Sequence, residues 1–395
     1  MGKKYTIIEV GDRKTRREFL LLPVRIYKTD PCYIRPLDRD IERVFDPVKN
    51  KLFRKGECTR WILADEKGTT VGRVAAFIDH RNAEKNDQPT GGMGFFDCIN
   101  DQEAASALFD QCKAWLSARG MEAMDGPVNF GERHEWWGLL VEGFYEPNYC
   151  MPYNFPYYKE LFENYGFQLY FKQFTFHRMV SGGISDAVKN KADKVLQDPL
   201  YTFKPIDKSK LPVTIEDFRQ VYNKSWGKHF GVSAISSAQA RALFKKLKPI
   251  LDPDLLWFAY YNNKPVAFFL MIPELNQIFR HLHGELHLIN KLRFLYYKKR
   301  KVCNKMLGML FGVVPEHQGK GVESAIVVAF SRLANQKGFQ YKEIEMTWIG
   351  DFNPKMIRVA EHIGGKVIKT HHTYRYLFNR SKPFQRAQMI DYGKD

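Results

Sequence analysis

The residues best suited to chemistry form one string, Gly312-Val313-Val314-Pro315-Glu316-His317-Gln318-Gly319-Lys320-Gly321-Val322-Glu323. An apolar run ends at Pro315, two glycines follow in a tight loop, and an amphipathic pattern begins at Val322. Glycine lets the backbone turn sharply and leaves successive N–H groups uncovered. Those groups, with the positive end of the following helix, make a seat for a phosphate or pyrophosphate. Lys320 adds a cation. The spacing is neither that of a P-loop nor that of the G-x-G-x-x-G dinucleotide fingerprint. A plain strand-to-helix turn is the alternative reading of the same residues.

Other groups offer two readings each. Glu343 and Glu345 share one strand face by the period of two, as do Tyr374 and Tyr376. The tyrosines serve as proton donors or as cross-strand packing. His281, His283 and His287 with Glu285 spell H-x-H-x-E-x-H. Three imidazoles bind zinc if they converge, but on a helix only His283 and His287 share a face, so no metal is expected. His134-Glu135-Trp136-Trp137 follows a Gly126-Pro127 turn and reads as a binding loop or as core. Lys291, Arg293, Lys298, Lys299, Arg300 and Lys301 interleave with Phe294, Tyr296 and Tyr297. Such a patch tracks phosphates while its aromatics stack on bases. The favoured reading is a helix with Leu292, Leu295 and Tyr296 toward the core and its charges toward water.

These residues must be positioned by regular elements, and the pattern supplies them twice. Trp61–Ala64, Val71–Ile78 and Met93–Cys98 read as strands, and Asn100 with Glu103 as a capping box opening a helix that Gly120 ends. A strand at Met121–Met124 follows, then a helix that stops at Gly166. In the second half, Thr214–His229 and Ser237–Lys248 read as helices, and Leu255–Tyr261 and Val266–Ile272 as strands. After an insertion from Pro273 to about Lys301 come a strand at Lys305–Val314, a helix at Val322–Gln336, a strand at Tyr341–Ile349 and a helix at Pro354–Ile363. Two short strands, Lys366–Lys369 and Thr373–Phe378, close the chain. The repeated order predicts a duplicated α/β unit joined near Ser181-Gly182-Gly183, with Ile184–Leu196 as a connecting helix.

Composition bounds the function. The chain has 395 residues, 61 Lys and Arg against 44 Asp and Glu, and a formal charge of +17. The length suits two domains. A hydrophobic fraction of 44% and an aromatic fraction of 14% exclude intrinsic disorder. No apolar stretch reaches the ~20 residues of a membrane-crossing helix. Six cysteines without C-x-x-C spacing, and an N-terminus without a secretory pattern, predict a reducing cytoplasm. The basic balance suits nucleic acid, anionic lipid or a polyanionic small ligand such as a nucleotide cofactor, with nucleic acid not favoured, or it is solubility charge only.

The string Pro315–Glu323 resembles motif A of the GNAT superfamily of acyl-CoA N-acyltransferases, with pattern Q/R-x-x-G-x-G/A; Gln318, Gly321 and Glu323 fall on its defined positions. Asn353, Met356 and Gly364 match the next family segment in spacing. The whole chain also resembles bacterial tandem GNAT-like proteins, through Gly126-Pro127-Val128-Asn129, Gly138–Phe144, and Pro152-Tyr153-Asn154 with Pro156-Tyr157-Tyr158. The resemblance implies two tandem lobes, each a mixed, mostly antiparallel sheet flanked by helices: residues 1–180, a connector at 181–200, and 201–395 carrying motif A and the basic insertion 273–301. It implies an acyl-CoA, acetyl-CoA included, as co-substrate, held by Val313, Val314, Gln318, Gly319, Lys320, Gly321, Val322 and Asn353. Strand amides near Phe311–Val314 would steady the thioester oxygen.

Two departures from the family stand out. Glu323 replaces a Gly or Ala, and Ala360 sits where a general-acid Tyr is usual. For direct transfer to an amine, Glu345 is the candidate base, Tyr374 and Tyr376 candidate acids, and Trp226 and Asn276 candidate acceptor contacts, with core or cap roles as alternatives. The first unit has Ile99-Asn100-Asp101-Gln102-Glu103 at the motif A position, with no glycine, and is expected to bind no nucleotide. The alternatives to acyl-CoA transfer are a Fem-type transferase using aminoacyl-tRNA and a non-catalytic CoA or partner binder.

Overall fold

The computed structural model describes residues 4–85, 88–226 and 234–390. The first half runs β1 (Tyr5–Glu9), α1 (Arg13–Ile26), α2 (Asp38–Val44), β2 (Gly56–Asp65), β3 (Thr70–Asp79), α3 (His80–Ala83), β4 (Thr90–Cys98), α4 (Gln102–Ser117), β5 (Ala123–Gly126), β6 (Leu139–Glu142), α5 (Tyr158–Tyr165) and β7 (Gln168–Met179). The second runs α6 (Asp186–Leu196), β8 (Tyr201–Pro205), α7 (Leu211–Trp226), α8 (Ser237–Leu247), β9 (Leu256–Tyr261), β10 (Lys264–Pro273), α9 (Asn276–Phe279) and α10 (Leu288–Lys299). It ends with β11 (Lys305–Val313), α11 (Val322–Ala334), β12 (Glu343–Gly350), α12 (Pro354–His362) and β13 (Lys366–Leu377).

All strands join one sheet in the order β1-β2-β3-β4-β5-β13-β7-β12-β11-β10-β9-β8, with β6 paired to β13. Two pairs are parallel, β4 with β5 and β11 with β12, and each is bridged by a helix, α4 or α11. A parallel pair requires such a crossover. The predicted duplication is thus visible as two half-sheets with the same internal order. At the centre the last strands are exchanged: β7 pairs with β12, and β13 pairs with β5.

The cores follow the exchange. Phe176 of β7 packs into the core of the second half, with Val322, Ala325 and Ile326 of α11. Tyr374 and Tyr376 of β13 pack into the core of the first half, with Phe109, Tyr158 and Phe162. Arg375 fixes β13 to β5 by two bonds to Asp125, of 2.6 and 2.8 Å.

Several local expectations change. The residues Lys366–Leu377 form one continuous strand, because irregularities in its pairing with β7 are absorbed without a break. The cap of α4 is Asp101, one residue after Asn100; its carboxylate accepts from Ala104 N–H at 3.0 Å. Helix α1 holds Pro23 in its interior and buries Phe19 and Leu22. The predicted helix Thr214–His229 is described only as far as Trp226.

Candidate active site

Strands β11 and β12 share four ladder positions, from Lys305↔Glu343 to Gly308↔Met346, and then separate. Each strand carries one extra residue just past that point. On β11, Leu310 pairs with Leu270 and Gly308 with Met271, which leaves Met309 over. On β12, Met346 pairs with Phe176 and Ile349 with Phe174, so three steps oppose two. Such bulges bend and twist a strand, and here both strands turn away from each other. The fork opens a cavity of about 350 Å³, within the range of small-molecule sites. Its walls include Phe269, Gly308, Phe311, Val327, Met346, Ile349, Met356 and Ile363, a predominantly apolar set.

The predicted phosphate loop lies at this cavity. Val313 and Gln318 line it, together with Glu323 of α11 and Asn353 of α12. The Gln318 side chain ties three elements: its Nε2 donates to Val313 O at 2.9 Å, and its Oε1 accepts from Lys355 Nζ at 3.0 Å. Val314 N–H donates to Val266 O at 2.9 Å, which fixes the end of the strand. Gly319 and Gly321 both have positive φ, +72° and +92°. A Cβ on Gly319 would meet nothing within 4 Å, whereas one on Gly321 would lie 2.6 Å from Lys191 O of α6. Gly321 is therefore required by helix packing as well as by its turn. Lys320 is exposed, Val322 is fully buried, and the α11 cap at Gly321 has no side-chain hydrogen bond. Asn353 caps α12, accepting from Met356 N–H at 3.1 Å.

The other predicted residues lie elsewhere. The Glu345 side chain is not on the cavity wall; it is 1% exposed and pairs with Lys305 and with Lys369, the latter at 2.9 Å. Burial opposes its charge, but the two ammonium groups prevail and hold its carboxyl down at about 2. A carboxylate so placed is a weak proton acceptor. Tyr374 donates to Glu163 at 3.0 Å, and its hydroxyl is pushed well up by burial and that carboxylate. Tyr376 packs on Tyr165 and Phe167. Both tyrosines belong to the first half's core, the packing alternative. Asn276 is buried and donates to Pro147 O at 2.8 Å, a structural tie. Trp226 ends α7, and its side chain lies outside the described residues.

Among the described residues, no three of His281, His283, Glu285 and His287 come together as a metal-holding group. His281 stacks on Tyr297, and His287 lies 3.5 Å from Glu285. The reading of the basic insertion with Leu292, Leu295 and Tyr296 toward the core is overturned, since each is 59% exposed. Helix α10 instead seats itself through Asn290, Phe294 and Tyr297.

The structure adds residues that the motif did not announce. Ser225 of α7 lines the cavity, and its hydroxyl is buried with no hydrogen-bond partner among the described residues. Arg133, from the loop holding the His134–Trp137 string, closes one side through its carbonyl, which accepts from Trp348 Nε1 at 2.7 Å. Ile390 closes another, its N–H bonded to Phe352 O at 2.8 Å. Ala360 also lines the cavity, so the space a larger side chain would fill is open volume. The equivalent fork of the first half is bridged by backbone. Val128 N–H bonds Met93 O at 2.8 Å across it, and Asp101 at the helix start binds Lys4 and Tyr5.

Comparison with solved structures shows which fold this is. The chain carries the GNAT fold. A tandem GNAT protein from the clavulanic acid biosynthesis pathway aligns over 96% of this chain and 100% of its own, with TM-score 0.54 and 10% identity. A GCN5-related glucosamine N-acetyltransferase region of a fungal multi-domain β-N-acetylglucosaminidase aligns over 95% of this chain, with TM-score 0.56 and 12% identity; the chain spans 38% of that longer protein. In sequence, the chain is 27% identical over 379 residues to a bacterial ceramide synthase of Caulobacter vibrioides, covering 93% of this chain and 96% of the relative. No protein-family model matches the sequence.

Proposed function

We propose that this protein is an acyl-CoA-dependent N-acyltransferase that seats its donor in the fork between β11 and β12 and accepts a long acyl chain. The observation that carries the reading is the apolar cavity that starts where Gly308 and Met346 part and has Val313 and Gln318 on its wall. The turn Gln318–Gly321 and the start of α11 suit the pyrophosphate, with Lys320 beside it. Beyond Gly308 no ladder pair joins β11 to β12, so β11 has backbone groups free to meet the pantetheine amides and the thioester oxygen. The apolar walls suit an acyl chain better than a polar one. The likeness to a ceramide synthase favours a long-chain amino alcohol as acceptor.

The amine nitrogen attacks the thioester carbonyl carbon, the C–S bond breaks, and the thiolate leaves with the electron pair. The ammonium proton passes to water or to the departing sulfur. Rate enhancement then comes mainly from holding donor and acceptor together. Ser225 offers its unpartnered hydroxyl to the acceptor. Glu345, Tyr374 and Tyr376 are assigned to the framework in this reading.

The test is calorimetric titration with CoA, acetyl-CoA and palmitoyl-CoA, followed by thiol release with sphinganine and with a short amine. Binding of palmitoyl-CoA tighter than acetyl-CoA, and turnover with sphinganine, are expected. Absence of CoA binding would remove the donor site, and turnover with the short amine alone would remove the lipid acceptor.

A further inference from the structure

Helix α10 presents an apolar stripe to the outside. Leu288 is 72% exposed and Ile289 60%, and Leu292, Leu295 and Tyr296 are each 59% exposed. At about 100° per residue these five fall within one sector of roughly 120°. The sector opposite holds Asn290, Phe294 and Tyr297, the residues that seat the helix: Asn290 Nδ2 donates to Leu282 O at 3.0 Å, and Phe294 packs on Phe279. The apolar stripe is therefore not a misplaced core face. The helix has a core face already, and this is a second one.

Basic residues border the stripe on both sides. Arg293 and Arg300 lie along one flank, Lys291 and Lys298 along the other, and Lys299 and Lys301 stand at the C-terminal end. Lys298 is held by the Pro249 carbonyl. No Asp or Glu occurs from Leu286 through Pro315.

We infer that α10 is a membrane-surface anchor, lying in the plane of an anionic bilayer with its leucines among the acyl chains and its lysines and arginines at the phosphates. The charge pattern chooses this occupant. An aliphatic centre with cationic flanks is the pattern of helices that lie in the headgroup boundary. Long basic side chains extend toward the headgroups while their stems stay apolar. A second copy of the chain would bring one cationic border against another. A nucleic acid would meet the charges but would find four aliphatic side chains where bases need aromatic faces. At 12 residues, about 18 Å long, α10 can lie on a bilayer and not cross it.

The inference is independent of the acyltransferase reading and is tested without it. The full chain is floated with vesicles of phosphatidylcholine alone and of equimolar phosphatidylcholine and phosphatidylglycerol, at low and high salt. Two double variants are compared, Leu292→Glu with Leu295→Glu, and Lys299→Glu with Arg300→Glu. All four positions are exposed, so an unchanged melting temperature and far-ultraviolet circular dichroism show that the fold is intact. Wild type should float with the anionic vesicles, less so at high salt, and each double variant should lose about tenfold in the bound fraction. Failure of wild type to float overturns the inference, as does full binding by the leucine variant, which would make the attraction one of charge alone. A wild-type dimer in sedimentation that the leucine variant converts to monomer would also overturn it, and so would RNA binding tighter than vesicle binding.

Discussion

The ammonium of Lys369 and the carboxylate of Glu345 meet at 2.9 Å, although β7 lies between their strands in the sheet. The pair passes over the β7 backbone and joins β12 to β13, while Asn148 supplies a second partner to Lys369 at 3.0 Å. It is buried at both ends. It therefore belongs to the junction of the two halves and not to the cavity.

Removing the charge at this junction should cost stability. In Glu345→Gln, Lys369 is left buried and Lys305 loses its nearest partner. Loss of one member of a buried pair costs about 3–5 kcal/mol, and chemical denaturation should show a loss of that order. Binding of CoA to the folded fraction should be unchanged. The sign with pH follows from the lowered carboxyl: its contribution is present above the unfolded value of 4.5 and is lost as pH falls toward about 2. The variant should lack that acid-side slope.

Glu274 behaves in the opposite way. Burial pushes its carboxyl up to about 7, against the N–H groups of Tyr149 and Asn276 that favour its charge. Its contribution is full below 4.5 and is lost as pH rises through 7. Stability of wild type should therefore drift downward between these values, and Glu274→Gln should flatten that drift in denaturation curves taken across the window.

The two glycines of the loop should separate. Gly321→Ala forces a side chain into positive φ and against Lys191 O, and should destabilise by about 1–3 kcal/mol with or without ligand. Gly319→Ala meets open space and should cost less. Lys320→Glu, on an exposed side chain, should leave the melting temperature alone and weaken CoA binding severalfold at low salt, an effect that shrinks as salt screens it. Equal CoA affinity for Lys320→Glu and wild type would place the pyrophosphate elsewhere.

Cavity volume should set donor length. Ala360→Phe directs a ring into the open space beside Met356 and Ile363. Affinity for palmitoyl-CoA should fall by about tenfold or more while CoA alone binds as before, since each excluded methylene is worth about 1–3 kcal/mol. Competition titrations read this directly.

Ser225→Ala removes a hydroxyl that is buried without a partner among the described residues. Its stability should match or exceed that of wild type. Its kcat/KM with the acceptor should fall by about fivefold, the worth of one neutral hydrogen bond, with CoA affinity unchanged. Loss of CoA affinity in this variant would reassign Ser225 to the donor.

Much of this was legible in sequence because it is local. The glycines at 319 and 321, the proline ending a strand and the continuous apolar runs at 256–261 and 264–273 each record a local requirement in a residue type. Contacts between distant segments were not legible. Glu345 and Tyr376 sit on strands whose side-chain alternation is plain, yet the exchange of β7 and β13 decides what each one meets. Helix α10 shows the other limit. Its wheel has two apolar faces, and sequence alone does not say which one the body takes; Asn290, a polar residue on the seated face, disguised the answer. Ser225 and Arg133 reach the cavity from parts of the chain far from the motif, with no pattern of their own.

The exchanged strands also set a timetable for the nascent chain. Residue 126 ends β5 early in synthesis, but the neighbour that covers its outer edge is β13, completed only at Leu377. Strand β7, finished at Met179, waits likewise for β12. Until the ribosome has made β13, the first half exposes an unpaired strand edge, which is a template for aggregation. Neither half can be finished before the other has begun, so a holding chaperone should prefer ribosome-bound chains stalled anywhere between Met179 and Glu343 to chains in which β12 and β13 are both present.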